Sequence, residues 1–174
     1  MQLQNKQETG EITHYFIPIP KTHPQRKGLS ERTAKRRLEK QGWDVWRSEL
    51  LDVLKEPEIY PNVRRKYEKL ILLLQKYHPK ELPYLKYLNF VHHGMPDFLC
   101  FRKGEFKFVE CKLGHEQLSS RQKKTITELQ RLGFKVEVLK IAETCTKTIR
   151  SSVNLMTGKK IIFAKQMILK KAWR

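Results

Sequence analysis

Hydrophobic residues along this chain change their spacing several times, and each change marks an element. Between residues 63 and 77 they fall three and four apart, at Val63, Tyr67, Leu70, Ile71, Leu74 and Tyr77, the stripe of an amphipathic helix. Pro57 and Pro61 precede it, and Pro79 and Pro83 are read as closing it, since proline lacks the amide hydrogen that a helix interior needs. Ser48 to Lys55 reads as a shorter helical segment. Further upstream, Ser30 is the expected N-cap of a helix over Glu31–Gln41 that stops at Gly42. Its inward stripe is Glu31, Ala34 and Leu38, which leaves Arg32, Lys35, Arg36 and Lys40 mostly outside.

The period then shortens. Phe98-Leu99-Cys100-Phe101 and Phe106-Lys107-Phe108-Val109 are aromatic and branched runs on either side of Lys103-Gly104, the pattern of a β-hairpin with a tight turn. Downstream, Ser119 or Ser120 caps a helix that runs to Leu132, with Gly133 as the left-handed residue beyond it and Gln122, Ile126 and Leu129 on one face. Phe134 to Ile141 alternates again as a strand, completing a strand-strand-helix-strand core. Residues 1–29 show no periodicity and are expected to form a basic arm with Lys21, Arg26 and Lys27; a solvated tail fits them equally well. After Thr144 there are eight basic residues and no acid, with either a hairpin turning at Thr157-Gly158 or a helix over Ile161–Trp173.

Charge narrows the partners. The 36 Lys and Arg residues against 18 Asp and Glu give a net charge of +18, which points to a polyanion, nucleic acid first. A spanning helix is excluded, because the longest apolar run, Leu70 to Leu74, covers five residues. Met1 to Gly10 lacks the apolar core of a signal peptide, and cysteines at 100, 111 and 145 suggest neither a disulfide framework nor a zinc knuckle. An intracellular location is expected: cytoplasm, nucleoid or nucleus. The aromatic residues form no regular ladder among the basic ones, so no single-strand stacking platform is expected.

Chemistry concentrates between His92 and Lys112. With Lys103 and Gly104 at the turn, Asp97 lies opposite Glu110, and Lys112 projects from the same face as Glu110 one pleat further on. Two close carboxylates repel, so the arrangement suits a hard divalent cation, Mg2+ or Mn2+, with the Cys111 backbone carbonyl as a further oxygen ligand. Lys112 could then orient or deprotonate a water and stabilise charge on a phosphate. An ordinary hairpin with surface charges is the plain alternative. Cys100 and Cys111 fall on the opposite face as buried small hydrophobes. His92, His93 and His115 are candidate phosphate contacts, His93 foremost; Arg121, Lys123 and Lys124 lie off the helix stripe and could track a DNA backbone. Gln122, at the start of that stripe, could hydrogen-bond a water, a phosphate or the lysine, or be a satisfied buried amide.

Gly94-Met95-Pro96-Asp97, Glu110-Cys111-Lys112 and Leu118-Ser119-Ser120-Arg121-Gln122, with Leu129, Gly133 and Val136-Glu137-Val138 behind them, resemble the PD-(D/E)xK nuclease superfamily, most nearly its VRR-NUC domain. The resemblance spans about 50 residues; its one departure is a cysteine between Glu110 and Lys112. It implies an α/β restriction-endonuclease-like core, a central mixed sheet flanked by helices, over residues 30–143, with Trp43 to Arg47 as the first strand and 48–88 as a helical insertion. Residues 1–29 and 144–174 are then basic extensions. It further implies that Asp97 and Glu110 bind metal, that Lys112 is catalytic and that Gln122 assists. Glu31 resembles the acid that begins the core helix of Holliday-junction resolvases, a weaker third metal contact, unless it merely complements the helix dipole; Glu49 and Glu68 rank below it. The implied activity is a metal-dependent DNA endonuclease, with selectivity for junction or flap DNA and a homodimer as the accompanying expectations. The alternatives are a non-catalytic nucleic-acid-binding module and an RNA nuclease.

Overall fold

The computed structural model describes residues 12–18, 28–92, 94–113, 116–142, 147–153 and 159–167. In chain order these form β1 (Thr13–Pro18), α1 (Leu29–Lys40), β2 (Asp44–Arg47), α2 (Pro61–Tyr77), α3 (Leu82–His92), β3 (Phe98–Arg102), β4 (Glu105–Leu113), α4 (Ser120–Arg131), β5 (Lys135–Ala142), β6 (Lys147–Val153) and β7 (Lys160–Met167). Two short 3₁₀ turns, Ser48–Leu50 and Val53–Lys55, stand where one helical segment was expected. Five strands make a mixed sheet in the order β1-β5-β4-β3-β2, and β6 pairs antiparallel with β7 in a separate ribbon. The architecture is the α/β, restriction-endonuclease-like core: a central mixed sheet with helices on both faces.

Local chemistry accounts for the central register. Lys103 and Gly104 both adopt positive φ, 49° and 86°, the geometry of a two-residue turn whose twist matches that of the strands. It sets Phe98 against Val109 and Leu99 against Phe108, as expected. β4 and β5 run parallel, which no tight turn can achieve, and α4 supplies the crossover between them. Gly133 follows the helix with φ 87°, the left-handed exit that spares a Cβ clash.

Period-two alternation divides the core in two. Phe98, Cys100, Val109, Cys111, Leu139 and Ile141 face α1, packing on Ala34 and Leu38. Trp46, Leu99, Phe106, Phe108, Val136 and Val138 face α2, α3 and α4, meeting Tyr67, Leu70, Leu74, Leu85, Leu88, Ile126 and Leu129. The 63–77 stripe is therefore core. Trp46 Nε1 donates to the Lys66 carbonyl at 2.9 Å, and Tyr67 Oη bonds both the N–H and the carbonyl of Arg47 at 3.1 Å, so α2 is fastened to β2 by polar contacts as well. Burying one leucine of this stripe stabilises by about 2 kcal/mol, and Leu70→Ala costs about 3 kcal/mol once the cavity is included.

Four further expectations give way. Residues 13–18, read as part of an aperiodic arm, form β1, a parallel edge strand on β5. The first core helix starts at Leu29 after Gly28 (φ 66°), so Ser30 lies inside it instead of capping it, because Leu29 is drawn into the core. Pro83 does not end a helix; it sits in the first turn of α3, where the amide it lacks would have had no partner. At the C-terminus, 160–167 is strand, and the helical alternative falls. The suggested turn at Thr157-Gly158, along with Lys21, Arg26, Lys27, His93, His115 and Cys145, lies outside the described residues.

Candidate active site

β4 is a central strand, so its end beyond the hairpin lies under helix rather than in water. Glu110 is only 2 % exposed there. One carboxylate oxygen, Oε1, accepts from Lys112 Nζ at 2.8 Å and from Gln122 Nε2 at 2.5 Å. The other, Oε2, is buried with no hydrogen-bond partner. An orphaned carboxylate oxygen is costly, so its persistence points to a cationic ligand.

Asp97 stands just before β3, on the face that carries Glu110. Past the paired stretch of the hairpin its Oδ2 accepts the Cys111 N–H at 2.7 Å, while its carbonyl accepts the Ser48 N–H at 3.2 Å. In an extended strand the N–H and carbonyl of one residue point the same way, so the Cys111 carbonyl is directed toward the Asp97 side of β4. The Cys111 and Cys100 thiols are buried on the other face.

The electrostatics are unbalanced. Burial, and then the charge of Asp97, push the Glu110 carboxyl up to about 7, an effect that Lys112 and the Asp97 backbone N–H oppose only in part. Asp97 is also raised, by burial first and by the charge of Glu31 as well, against the bond from Cys111 N–H. Two acids that resist ionising together, beside one ammonium group, form a site short of positive charge. The donor set is carboxylate and carbonyl oxygen, which suits a hard divalent cation.

Gln122 does two jobs. Its amide oxygen accepts from the Ser119 N–H at 3.0 Å while Ser119 Oγ accepts the Gln122 N–H at 3.2 Å, a capping box that begins α4. Its amide nitrogen reaches Glu110, where a water, a phosphate or the lysine was expected as its partner. Gly94 explains how the helix comes so close. A Cβ there would stand 3.0 Å from the Arg121 carbonyl carbon and from Thr125 Oγ1, so only glycine lets the Asp97 loop lie on the first turn of α4.

The structure thus brings Asp97, Glu110, Lys112 and Gln122 together. Glu31 stands within electrostatic reach of Asp97 but is engaged elsewhere, its Oε2 bonded to Arg47 Nη2 at 2.7 Å. Among the described residues no three His, Cys, Asp or Glu side chains gather as a metal cluster. Glu49 binds the same Arg47 at 3.2 Å, and Glu68 is exposed on α2. Arg121, Lys123 and Lys124 are exposed on the first turn of α4, and His92 ends α3 instead of lying in a loop. Sequence reasoning missed Arg47 and Ser48, which follow from tertiary path alone; Gly94 was signalled by its place in the motif.

An acid before one strand, an acid and a lysine on the next, and a helix-borne glutamine, all at one end of a mixed sheet, define a nuclease of the PD-(D/E)xK type. The family can be stated more narrowly. The VRR-NUC domain model matches residues 39–143, more than half of the chain, and the chain belongs to the VRR-NUC family, which makes it a nuclease acting on DNA. The match takes in Asp97, Glu110, Lys112 and Gln122 but not Glu31. No curated protein matches the chain. No described helix is long and apolar enough to cross a membrane.

Proposed function

We propose that the protein is a Mg2+- or Mn2+-dependent DNA endonuclease that hydrolyses phosphodiester bonds in branched DNA, such as junctions or flaps, during replication, repair or recombination inside the cell. The observation that carries this reading is the partnerless, buried Oε2 of Glu110 beside Asp97. Asp97, Glu110 and the Cys111 carbonyl would hold the cation, with Glu31 joining only if Arg47 releases it. Bound there, a divalent ion supplies charge to the scissile phosphate and acidity to water.

The chain's own residues do the rest. Lys112 Nζ, held by Glu110 at 2.8 Å, has further N–H donors for the attacking water and a phosphate oxygen. Gln122 keeps the Glu110 carboxylate turned toward Asp97. Water attacks phosphorus in line with the leaving oxygen; the new P–O bond forms as the strand's P–O bond breaks, and positioning lowers the barrier. Arg121, Lys123, Lys124 and His93 neutralise phosphates alongside, helped by the basic residues of 1–29 and 144–174.

The test titrates Mg2+ and Mn2+ against wild type and Asp97→Ala on junction, flap, linear duplex and single-stranded DNA. Metal-dependent cutting that is lost in the variant, together with a metal-induced rise in melting temperature that Asp97→Ala abolishes, is the expected result. Equal binding by both proteins without cutting would leave a basic DNA-binding module. Sedimentation of the complex checks whether a homodimer acts.

A further inference from the structure

Helix α3 docks on the core by a single face. Leu82, Leu85 and Leu88 are buried, and Asn89 Nδ2 donates to the Glu49 carbonyl at 3.3 Å on that side. The rest of the helix turns four large apolar residues outward: Tyr84 at 41 % exposure, Tyr87 at 52 %, Phe90 at 77 % and Val91 at 41 %. At about 100° per residue these four span roughly a third of the circumference as one continuous arc. The Tyr84 and Tyr87 rings are already 5.8 Å apart and tilted by only 33°. Exposed aromatic clusters of this kind mark binding surfaces.

The position of the arc says what covers it. α3 runs directly into Gly94 and Asp97, so Phe90 is seven residues from the catalytic acid, at most roughly 25 Å away at full extension. Gly94 lies on the backbone of Arg121, so the basic first turn of α4, with Arg121, Lys123 and Lys124 exposed, begins beside the end of α3. A second copy of the chain would bring another +18 of charge against this surface, whereas a polyanion is drawn to it. The partner that is anionic and also presents flat apolar faces is a nucleic acid strand with unpaired bases.

We infer that the outward face of α3 is a stacking platform for unpaired bases of single-stranded DNA next to the scissile phosphate. This deepens the nuclease reading, on which the choice of DNA rests. Tyr84, Tyr87 and Phe90 take the bases, and the α4 cations take the backbone. Stacking is indifferent to sequence, so the platform selects DNA by its unpaired segment, as at a flap or splayed junction. Helix α3 went unrecognised in the sequence because Pro83 was read as a terminator, and with it the grouping of these rings.

The experiment measures fluorescence anisotropy of labelled oligothymidylate and of a blunt duplex in EDTA, which prevents cutting. Tyr84→Ala and Phe90→Ala are expected to weaken oligothymidylate binding roughly tenfold each and to leave duplex affinity and the salt dependence of both unchanged. Tyr84→Phe and Phe90→Tyr keep the affinity, which separates stacking from a folding defect. Equal losses on duplex and single strand, or no loss at all, overturn the platform. So does a wild-type dimer in sedimentation that Phe90→Ala splits, since a second copy would then cover the face. A wild type that cuts nothing yet shows the selective loss ends the nuclease reading and leaves the platform standing.

Discussion

Strand β4 carries two buried lysine–glutamate pairs, one on each face and near opposite ends. Lys107 reaches across to Glu137 on β5 at 2.7 Å, with its ammonium 4.2 Å from the centre of the Trp43 ring. Glu110 binds Lys112 at 2.8 Å, two positions along the same strand. The first pair balances one charge of each sign and lays an aromatic face over the cation. The second adds Asp97 to the negative side and leaves Glu110 Oε2 buried without a well-formed hydrogen bond, with the Asp97 backbone N–H as its nearest donor. Similar partners at similar distances thus hold different amounts of charge: where charges cancel the pair joins strands, and where one sign is left over the pair is suited to hold a cation.

The sharpest break of this comparison is mutational. Glu110→Gln or Asp97→Asn should lower DNA cleavage on the order of a thousandfold, as removal of a charge-stabilising group does, while the metal-free fold melts at or above the wild-type temperature. Lys107→Met should do the reverse. It strands Glu137 and costs about 3 kcal/mol in urea unfolding, yet cleavage per folded molecule stays near wild type. If Lys107→Met abolished cutting at full folding, the division into structural and reactive pairs would be wrong.

A second break uses pH in the metal-free protein. Glu110 titrates near 7 in the folded chain and near 4.5 unfolded, so between these values the folded state binds more protons and stability falls as pH rises. The contribution is fully present below about 4.5, is lost through 7, and amounts to about 3 kcal/mol. Urea unfolding in EDTA at pH 5 and pH 8 should reveal this loss in wild type and not in Glu110→Gln. Lys107→Met should keep it. Added Mg2+ at pH 8 should restore the stability that alkaline pH removes.

The same contrast explains what could be read from the chain beforehand. Asp97 and Glu110 could be paired because a two-residue turn counts positions outward without ambiguity, and the Ser119 box and Gly133 bracketed α4 by local chemistry. These are short-range signals. Glu31 was placed on the inward stripe of its helix correctly enough, but which face of the sheet that helix covers is settled by packing across the whole domain, and that put Arg47 in its reach. β1 was illegible for a related reason: an edge strand paired parallel to a distant segment leaves no turn beside it to announce the pairing.

Gly94 tests whether the reactive pair depends on close approach. Ala at 94 must push apart the Asp97 loop and the first turn of α4, because the contacts at 3.0 Å are with backbone and a buried hydroxyl, neither of which can swing away. A cost of about 1–2 kcal/mol and a rate loss on the order of a hundredfold are expected, since a shift of about 1 Å is enough to misplace catalytic groups. Lys107 and Glu137 lie at the other end of β4, so the Lys107→Met penalty should be unchanged in the Gly94→Ala background, measured by a double-mutant cycle.

The smallest effect separates the two jobs of Gln122. Ser119→Ala removes one half of the capping box and should cost about 1 kcal/mol in thermal or urea unfolding, with cleavage unaffected, because the Gln122 amide can still reach Glu110. Gln122→Leu removes that reach as well. Its stability loss should be of the same size, but cleavage should fall roughly ten- to a hundredfold, as when an outer partner of a metal-binding carboxylate is lost. Should the two variants cut DNA equally well, the 2.5 Å bond to Glu110 orients nothing that the reaction uses, and the glutamine is only the start of a helix.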